Sequence, residues 1–388
     1  MKKIKKQSIF ILTLALLFIF PKIIFAEPLS LTVDAKSAII MEASSGEIIF
    51  EQNADDRLSP ASVTKVMTML LIYEAIAQNR ISWDDMVQTS AHAASMGGSQ
   101  IFLEVGEMQS VRDLTKSVVI ASANDAAVAM AEFIAGSEES FVDLMNKKAQ
   151  ELGMDSTSFK NACGLDAQGH FTTAKDIAIM SRELITKYPE YQEYATTWMD
   201  TIIHKTNKGE TEFGLTNTNK LIKQYNGITG LKTGSTSQAL YCLSATANKN
   251  DMELIAVVLA APDPTTRFQE AMKMLDYGYA NFKVVKGELA GSVVAMAPIL
   301  KGKENEAAAM VETLISNVTE KGANSELEQE IIIFENLVAP IAQNQPLGEI
   351  IYKYEGKEIG RSNLIAEEPI NRAGFIDTIT RLWGIWFE

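Results

Sequence analysis

Cysteine and histidine are scarce in this chain of 388 residues: Cys163 and Cys242 are its only thiols, and His92, His170 and His204 its only imidazoles. Two cysteines cannot form a disulfide framework over such a length, so the fold must rest on a hydrophobic core. Spacing leaves one bridge or two free thiols open, and two free thiols are expected. The histidines lie far apart and none opens a His-Glu-x-x-His helix, so no metal site and no cofactor is expected. Basic charge is also short, with 35 Lys and Arg against 49 Asp and Glu and a formal net charge of -14. A chain without a basic stripe cannot displace counterions from a phosphate backbone, which excludes nucleic acid as a partner. The apolar run Ile9 to Phe20 has twelve residues, short of the roughly 20 that a membrane-spanning helix needs.

That run follows Lys2, Lys3, Lys5 and Lys6 and precedes Pro21 and a small-residue site after Ala26. The pattern predicts a signal peptide over 1–26 and an exported protein at the outer face of the cytoplasmic membrane. Loss of the leader removes five lysines and no acid, leaving 30 basic against 49 acidic residues, a net charge of -19.

The fold class expected is α/β of the α+β kind. Strand-like runs at Ser37 to Glu42 and Glu47 to Phe50 predict a hairpin, and Ser59-Pro60 predicts a capped start for a buried helix carrying Val63, Val66, Met67, Leu70, Leu71 and Ala75. Helical patterns cover Val111 to Ala121, Asp125 to Ala135, Ser140 to Leu152 and Ala174 to Lys187. Strands are expected at Ala239 to Ala247 and Met252 to Ala260, then a helix from Thr266 to Tyr279. One sheet covered by helices, over 27–280, satisfies this order. From 281 to 370 short apolar runs between glycines predict a small β-rich domain. Over 371–388, Phe375, Ile376, Ile379, Leu382, Trp383 and Trp386 share one helical face, while Arg372, Asp377, Thr378 and Arg381 fall elsewhere. Such an amphipathic helix is expected to lie in a membrane surface, the alternative being packing on the protein itself.

Three short motifs carry the chemistry. Ser62-Val63-Thr64-Lys65 starts the buried helix, and a spacing of three brings Ser62 and Lys65 within reach of each other. A buried lysine that has lost its proton can take one from a serine hydroxyl, and the N–H groups at the helix start can hold an oxyanion. Ser62 is the only serine with lysine three positions on. Ser122-Ala123-Asn124, between two helices, supplies a hydroxyl for proton relay and an amide to bind Lys65 and substrate. Lys232-Thr233-Gly234, ahead of the strand at Ala239, supplies a fixed positive charge, a hydroxyl and room for close approach. Taken singly, the three read as a helix cap with a solvated lysine, a second cap and a turn. Their order is the signature of active-serine penicillin-recognising enzymes.

The longer segments Ser59-Pro60-Ala61-Ser62-Val63-Thr64-Lys65-Val66-Met67-Thr68, Ala121-Ser122-Ala123-Asn124-Asp125-Ala126, Gly164-Leu165-Asp166 and Gly230-Leu231-Lys232-Thr233-Gly234-Ser235-Thr236 resemble the low-molecular-mass penicillin-binding proteins, the serine D-alanyl-D-alanine carboxypeptidases, including those of spore-forming bacteria. The resemblance runs from about Leu31 to the C terminus. It implies a β-lactamase-like transpeptidase fold, a small β domain and an amphipathic anchor. It further implies removal of the terminal D-alanine from peptidoglycan stem peptides, and covalent inhibition by β-lactam antibiotics. By that resemblance Ser62 is the nucleophile, Lys65 its base and Ser122 the relay to the departing D-alanine. Asn124, Lys232, Thr233 and Gly234 would bind substrate, with Lys232 also lowering the Lys65 pKa. Arg267 would attract the substrate's terminal carboxylate, a structural ion pair being its other reading. Cys163 before Gly164, where histidine is frequent, and Ser235 after the Lys-Thr-Gly triplet depart from the pattern, and both bear on substrate preference or deacylation.

A serine β-lactamase would need a deacylating base, and no Glu-x-x-Leu-Asn segment follows Ser122. A non-catalytic wall-binding or sensor protein would have lost Ser62, Lys65 or Lys232, and all three are present. Transpeptidase and endopeptidase action share the acyl-enzyme and stay open.

Overall fold

A computed structural model describes residues 31–206, 209–322, 327–377 and 379. The leader expected at 1–26 lies outside the described residues, as does most of the helix expected at 371–388; of its apolar face Phe375, Ile376 and Ile379 are described, and all three are exposed.

Strands β1 (Ser37–Glu42) and β2 (Ile48–Gln52) form the N-terminal hairpin. Helix α1 (Lys65–Ala77) follows a single 3-10 turn, Ala61–Thr64. Then come a short ribbon of β3 (Met86–Gln88) and β4 (Met108–Ser110), and helices α2 (Val111–Ile120), α3 (Asn124–Ala135), α4 (Glu138–Glu151) and α5 (Ala174–Lys187). A hairpin of β5 (Met199–Thr206) and β6 (Gly209–Thr216) precedes β7 (Ile228–Thr236), β8 (Leu240–Lys249), β9 (Met252–Ala261) and α6 (Pro264–Asn281). The main sheet runs β2-β1-β9-β8-β7, antiparallel throughout, with β7 at its edge.

Why β1 and β9 read as unbroken apolar runs is clear from their two faces. Ile39, Met41, Ile255, Val257 and Leu259 enter the core shared with α1 to α5. Ile40 and Leu254, of opposite parity and so on the other face, lie against Gly278 of α6, where an added Cβ would come within 2.5 Å of Leu254 Cδ1. Burial on both sides removes the polar alternation by which a surface strand is usually recognised.

Capping separates α1 and α3, which have no side-chain cap, from the other long helices. The side chains of Ser110, Ser137, Thr173 and Asp263 accept backbone N–H bonds at the starts of α2, α4, α5 and α6. The cap expected from Ser59 does not form, because its hydroxyl donates instead to Asp166 Oδ1 at 3.2 Å. Pro60 stands at the cap position without a side-chain bond, and Ala61 holds φ +46°. A left-handed alanine costs on the order of 1 kcal/mol or more, a strain that surrounding structure must hold in place.

After Asn281 the chain turns to strands: β10 (Phe282–Lys286), β11 (Val293–Pro298), β12 (Glu306–Val311), β13 (Ser316–Glu320), β14 (Glu328–Ile333), β15 (Pro346–Tyr354) and β16 (Lys357–Ala366). They form a β10–β13 pair and a sheet ordered β11-β12-β16-β15-β14 around a separate apolar cluster that includes Ile299, Val311, Leu347, Ile350, Tyr352 and Leu364. Val318 N donates to Glu47 Oε2 at 3.1 Å and Ser44 Oγ to Ser316 Oγ at 3.0 Å, joining the β1–β2 turn to β13. Among the described residues no helix is long and apolar enough to cross a membrane.

Candidate active site

Ser62 is half-buried inside the 3-10 turn, with the fully buried Lys65 at the first position of α1. Lys65 Nζ lies 2.6 Å from Asn124 Oδ1, 2.8 Å from Cys163 O and 3.1 Å from Ser62 Oγ, and donates to all three when charged. Burial brings its pKa down to about 8, against the opposing influence of Cys163 and Asp125. An amine near pH 8 is neutral often enough to serve as a base. With two hydrogens kept on the closer acceptors, Asn124 and Cys163, the lone pair of the neutral form is left facing the serine hydroxyl.

Ser122 occupies the turn between α2 and α3, is buried, and has φ +61°, another left-handed non-glycine position. Asn124 next to it is fixed from both ends: its Nδ2 donates to Gly97 O at 2.7 Å and its backbone N to Ser99 O at 2.7 Å. Asp125, also buried, accepts from Ile101 N and Leu103 N at 3.1 Å each through Oδ2, and so clamps the same 97–103 segment against α3.

Lys232, Thr233 and Gly234 lie within the edge strand β7 and not in a turn ahead of a strand. Strand and nucleophile meet at Gly234, where a Cβ would stand 2.9 Å from Pro60 O, Ser62 N and Val63 N. Lys232 is buried, and burial together with Lys65 and Arg267 pushes it well below the ordinary lysine range. The fixed charge expected at Lys232 is therefore a strained one, with Lys65 depressing Lys232, while burial is what lowers Lys65. Its Nζ donates to Thr233 O at 3.1 Å, and Thr233 Oγ1 donates to Thr218 Oγ1 at 2.7 Å.

Arg267, in the first turn of α6, is buried and donates from Nη1 to Gly234 O at 3.1 Å and Cys242 O at 3.3 Å. No carboxylate pairs with it among the described residues, so the structural ion pair considered for it does not form; it braces β7 through carbonyls and stacks near Phe268 and Tyr241.

Other contributors to the site carry no motif of their own. The Cys163 carbonyl reaches Lys65 because Asn161 Oδ1 gathers the N–H groups of Gly164 and Leu165 at 2.6 and 3.1 Å, bending that loop under α1. Thr64 Oγ1 and His170 Nε2 are 2.8 Å apart, and Lys160 N donates to His170 Nδ1 at 3.1 Å, which leaves Nε2 as the protonated nitrogen. Burial lowers His170 to about 4, so it is neutral at pH 7 and serves as packing, not as a base. Both cysteines are free and buried. Among the described residues no group of three or more His, Cys, Asp or Glu is placed to hold a metal ion.

Comparison with known proteins supplies the family context. Residues 24–263 match a family model described as D-alanyl-D-alanine carboxypeptidase, and residues 282–372 one described as penicillin-binding protein 5, C-terminal domain. The D-alanyl-D-alanine carboxypeptidase DacF of Bacillus subtilis (strain 168) is 45% identical over 354 residues, covering 91% of this chain and 90% of that protein. DacC of Escherichia coli (strain K12), of the same description, is 36% identical with 96% of each chain covered. Among solved structures, penicillin binding protein 5 from Haemophilus influenzae superposes with a TM-score of 0.74 at 32% identity, over 89% of this chain and 100% of that one. The Streptomyces K15 DD-transpeptidase gives a TM-score of 0.61 at 28% identity over 65% of this chain and 99% of that one.

Proposed function

Given that this chain belongs to the serine D-alanyl-D-alanine carboxypeptidases, the low-molecular-mass penicillin-binding proteins, we propose that it removes the terminal D-alanine from peptidoglycan stem peptides through an acyl-enzyme on Ser62. The observation that carries the assignment of Ser62 is the fully buried Lys65, 3.1 Å from Ser62 Oγ and held by Asn124 and Cys163 O.

Neutral Lys65 takes the hydroxyl proton as Ser62 Oγ bonds to the carbonyl carbon of the penultimate D-alanine. The Ser62 N–H, which takes no acceptor among the described residues, faces the developing oxyanion beside the edge of β7. Ser122 passes the proton from Lys65 to the departing amine, the C–N bond breaks, and D-alanine leaves. Water then attacks the ester, with Lys65 again accepting a proton, and Ser62 is restored. Lys232 and Arg267 provide buried positive charge for the substrate's terminal carboxylate, Thr233 a hydroxyl oxygen beside it, and Asn124 an amide; Nη1 of Arg267 is held by the Gly234 and Cys242 carbonyls, whereas its Nε has no partner among the described residues.

The domain division proposed is 1–26 signal peptide, 27–280 catalytic, 281–370 β-rich and 371–388 anchor, with the protein exported to the outer face of the cytoplasmic membrane. Exposed Phe375 and Ile376, 81% and 79% accessible, support an apolar face at the start of the last segment. Vesicle flotation separates the outcomes: the chain from residue 27 to 388 floats, and one ending at Pro369 does not. Equal flotation of both would remove the anchor from this segment.

The activity is tested by following D-alanine release from a peptide ending in D-Ala-D-Ala, and by digesting penicillin-treated protein. D-alanine appears, and the penicilloyl mass falls on the peptide containing Ser62. A label elsewhere would overturn the assignment of the nucleophile.

A further inference from the structure

Resting on the carboxypeptidase reading above, we propose that Thr218 is a binding residue for the substrate's terminal carboxylate, acting as the outer member of a hydroxyl pair with Thr233. The two oxygens are 2.7 Å apart, and Thr233 is the donor. The proton of the motif threonine is thereby committed to Thr218 before any substrate arrives. The hydroxyl hydrogen of Thr218 has no acceptor among the described residues. Thr233 is 5% exposed whereas Thr218 is only half-buried. The hydroxyl with a free hydrogen is therefore also the more accessible one.

The backbone around Thr218 is held for a residue outside any long element. Its N donates to Ile120 O at 3.3 Å, two residues before Ser122. On either side, Asn217 and Asn219 are buried: Asn217 Nδ2 donates to Thr197 O at 2.9 Å, Asn217 Oδ1 accepts from Asn219 N at 2.9 Å, and Asn219 Nδ2 donates to Gly230 O at 3.1 Å. Thr218 thus hangs from a strut between the Ser122 turn and the start of β7, with its rotamer fixed by Thr233. Lys232, whose Nζ donates to Thr233 O, and Arg267, which donates to the next carbonyl along at Gly234, have no carboxylate partner among the described residues. What the cluster lacks is an anion, and a hydroxyl donor bonded to Thr233, whose own carbonyl and that of Gly234 are held by Lys232 and Arg267, fits one oxygen of a carboxylate. The chain of bonds then runs from Thr233 to Thr218 and from Thr218 to the carboxylate, each hydroxyl donating once.

The test uses the full chain and its Thr218→Val and Thr218→Ser variants, assayed on a D-Ala-D-Ala peptide and by acylation with benzylpenicillin and with its methyl ester. Loss of one charge-assisted bond predicts a KM about tenfold higher in Thr218→Val, with kcat within about threefold. Thr218→Ser should stay within about threefold of wild type in both constants, since the hydroxyl is retained. Acylation of Thr218→Val should slow about tenfold with the acid and little with the ester, which has no carboxylate to bind. Equal slowing with acid and ester, a serine variant as poor as valine, or a valine variant indistinguishable from wild type would each overturn the proposal. The wild-type rate of D-alanine release tests the carboxypeptidase reading itself, whereas the ratio of variant to wild type tests Thr218.

Discussion

Ser62→Ala lowers kcat for D-alanine release by about 10⁴-fold or more, Lys65→Met does nearly as much, and the double variant is no worse than either one. The non-additivity follows from geometry. Lys65 has no function in attack except through Ser62 Oγ, 3.1 Å away, and Ser62 has no other base within hydrogen-bond distance among the described residues. Folding distinguishes the two single variants. Alanine at the half-buried Ser62 leaves stability nearly unchanged. Methionine at Lys65 removes a fully buried cation but strands Asn124 Oδ1 and Cys163 O, each an acceptor that loses its donor, so a modest fall in melting temperature is expected. The wild-type acylation rate should rise with pH through about 8, where burial has placed Lys65, because the neutral amine is the reactive form and lowering the pH protonates it. A penicillin acylation profile flat from pH 6 to 9 would remove Lys65 as the base. Single variants whose effects multiply in the double would show that the two residues do not act as one unit.

Gly164→Ala destabilises the protein by about 3 kcal/mol or more and abolishes penicillin acylation in whatever fraction still folds. Gly164 has φ +87°, and a Cβ there would lie 1.9 Å from Ala61 O and 2.5 Å from Ala61 C. Neither atom belongs to a flexible side chain, so relief must come from moving the backbone of Ala61, itself left-handed and immediately before Ser62. The cost falls on the turn that aims the nucleophile. Gly214 is the matched control, with nothing within 4 Å of an added Cβ and no left-handed φ; Gly214→Ala should shift stability by no more than about 0.5 kcal/mol. Thermal unfolding and penicillin acylation of both variants check the contrast. A Gly164→Ala protein that melts and acylates like wild type would mean that the loop does not press on the nucleophile turn.

How much of this was legible beforehand depends on where each signal resides in the chain. The buried strands β1 and β9, the latter interrupted only at the partly buried Glu253, announced themselves by length and apolarity, and α2 to α5 by periodicity with Ser or Thr caps on three of them. The β5–β6 hairpin escaped, because only Ile202 and Leu215 of its sixteen residues are buried, too few to print an alternation. The start of α1 differs from the expected cap because Ser59, which has the right chemistry, is engaged with Asp166, and a 3-10 turn with Pro60 at its cap position carries Ser62.

By itself the sequence determined the reactive groups, since Ser62 and Lys65 are one helical turn apart and local geometry alone brings them together. It also determined the scarcity of thiols, imidazoles and basic charge, and with these the kinds of chemistry that are out of reach. Only the tertiary structure decided what those groups can do. Burial, not sequence, takes Lys65 to about 8 and makes it a base. The acceptors that orient it come from Asn124 and Cys163, 59 and 98 residues away, and Gly234 reaches the nucleophile across a sheet edge. A pKa depends on the surrounding dielectric and a lone pair on where its neighbours sit, and both arise only when distant segments of the chain are packed together.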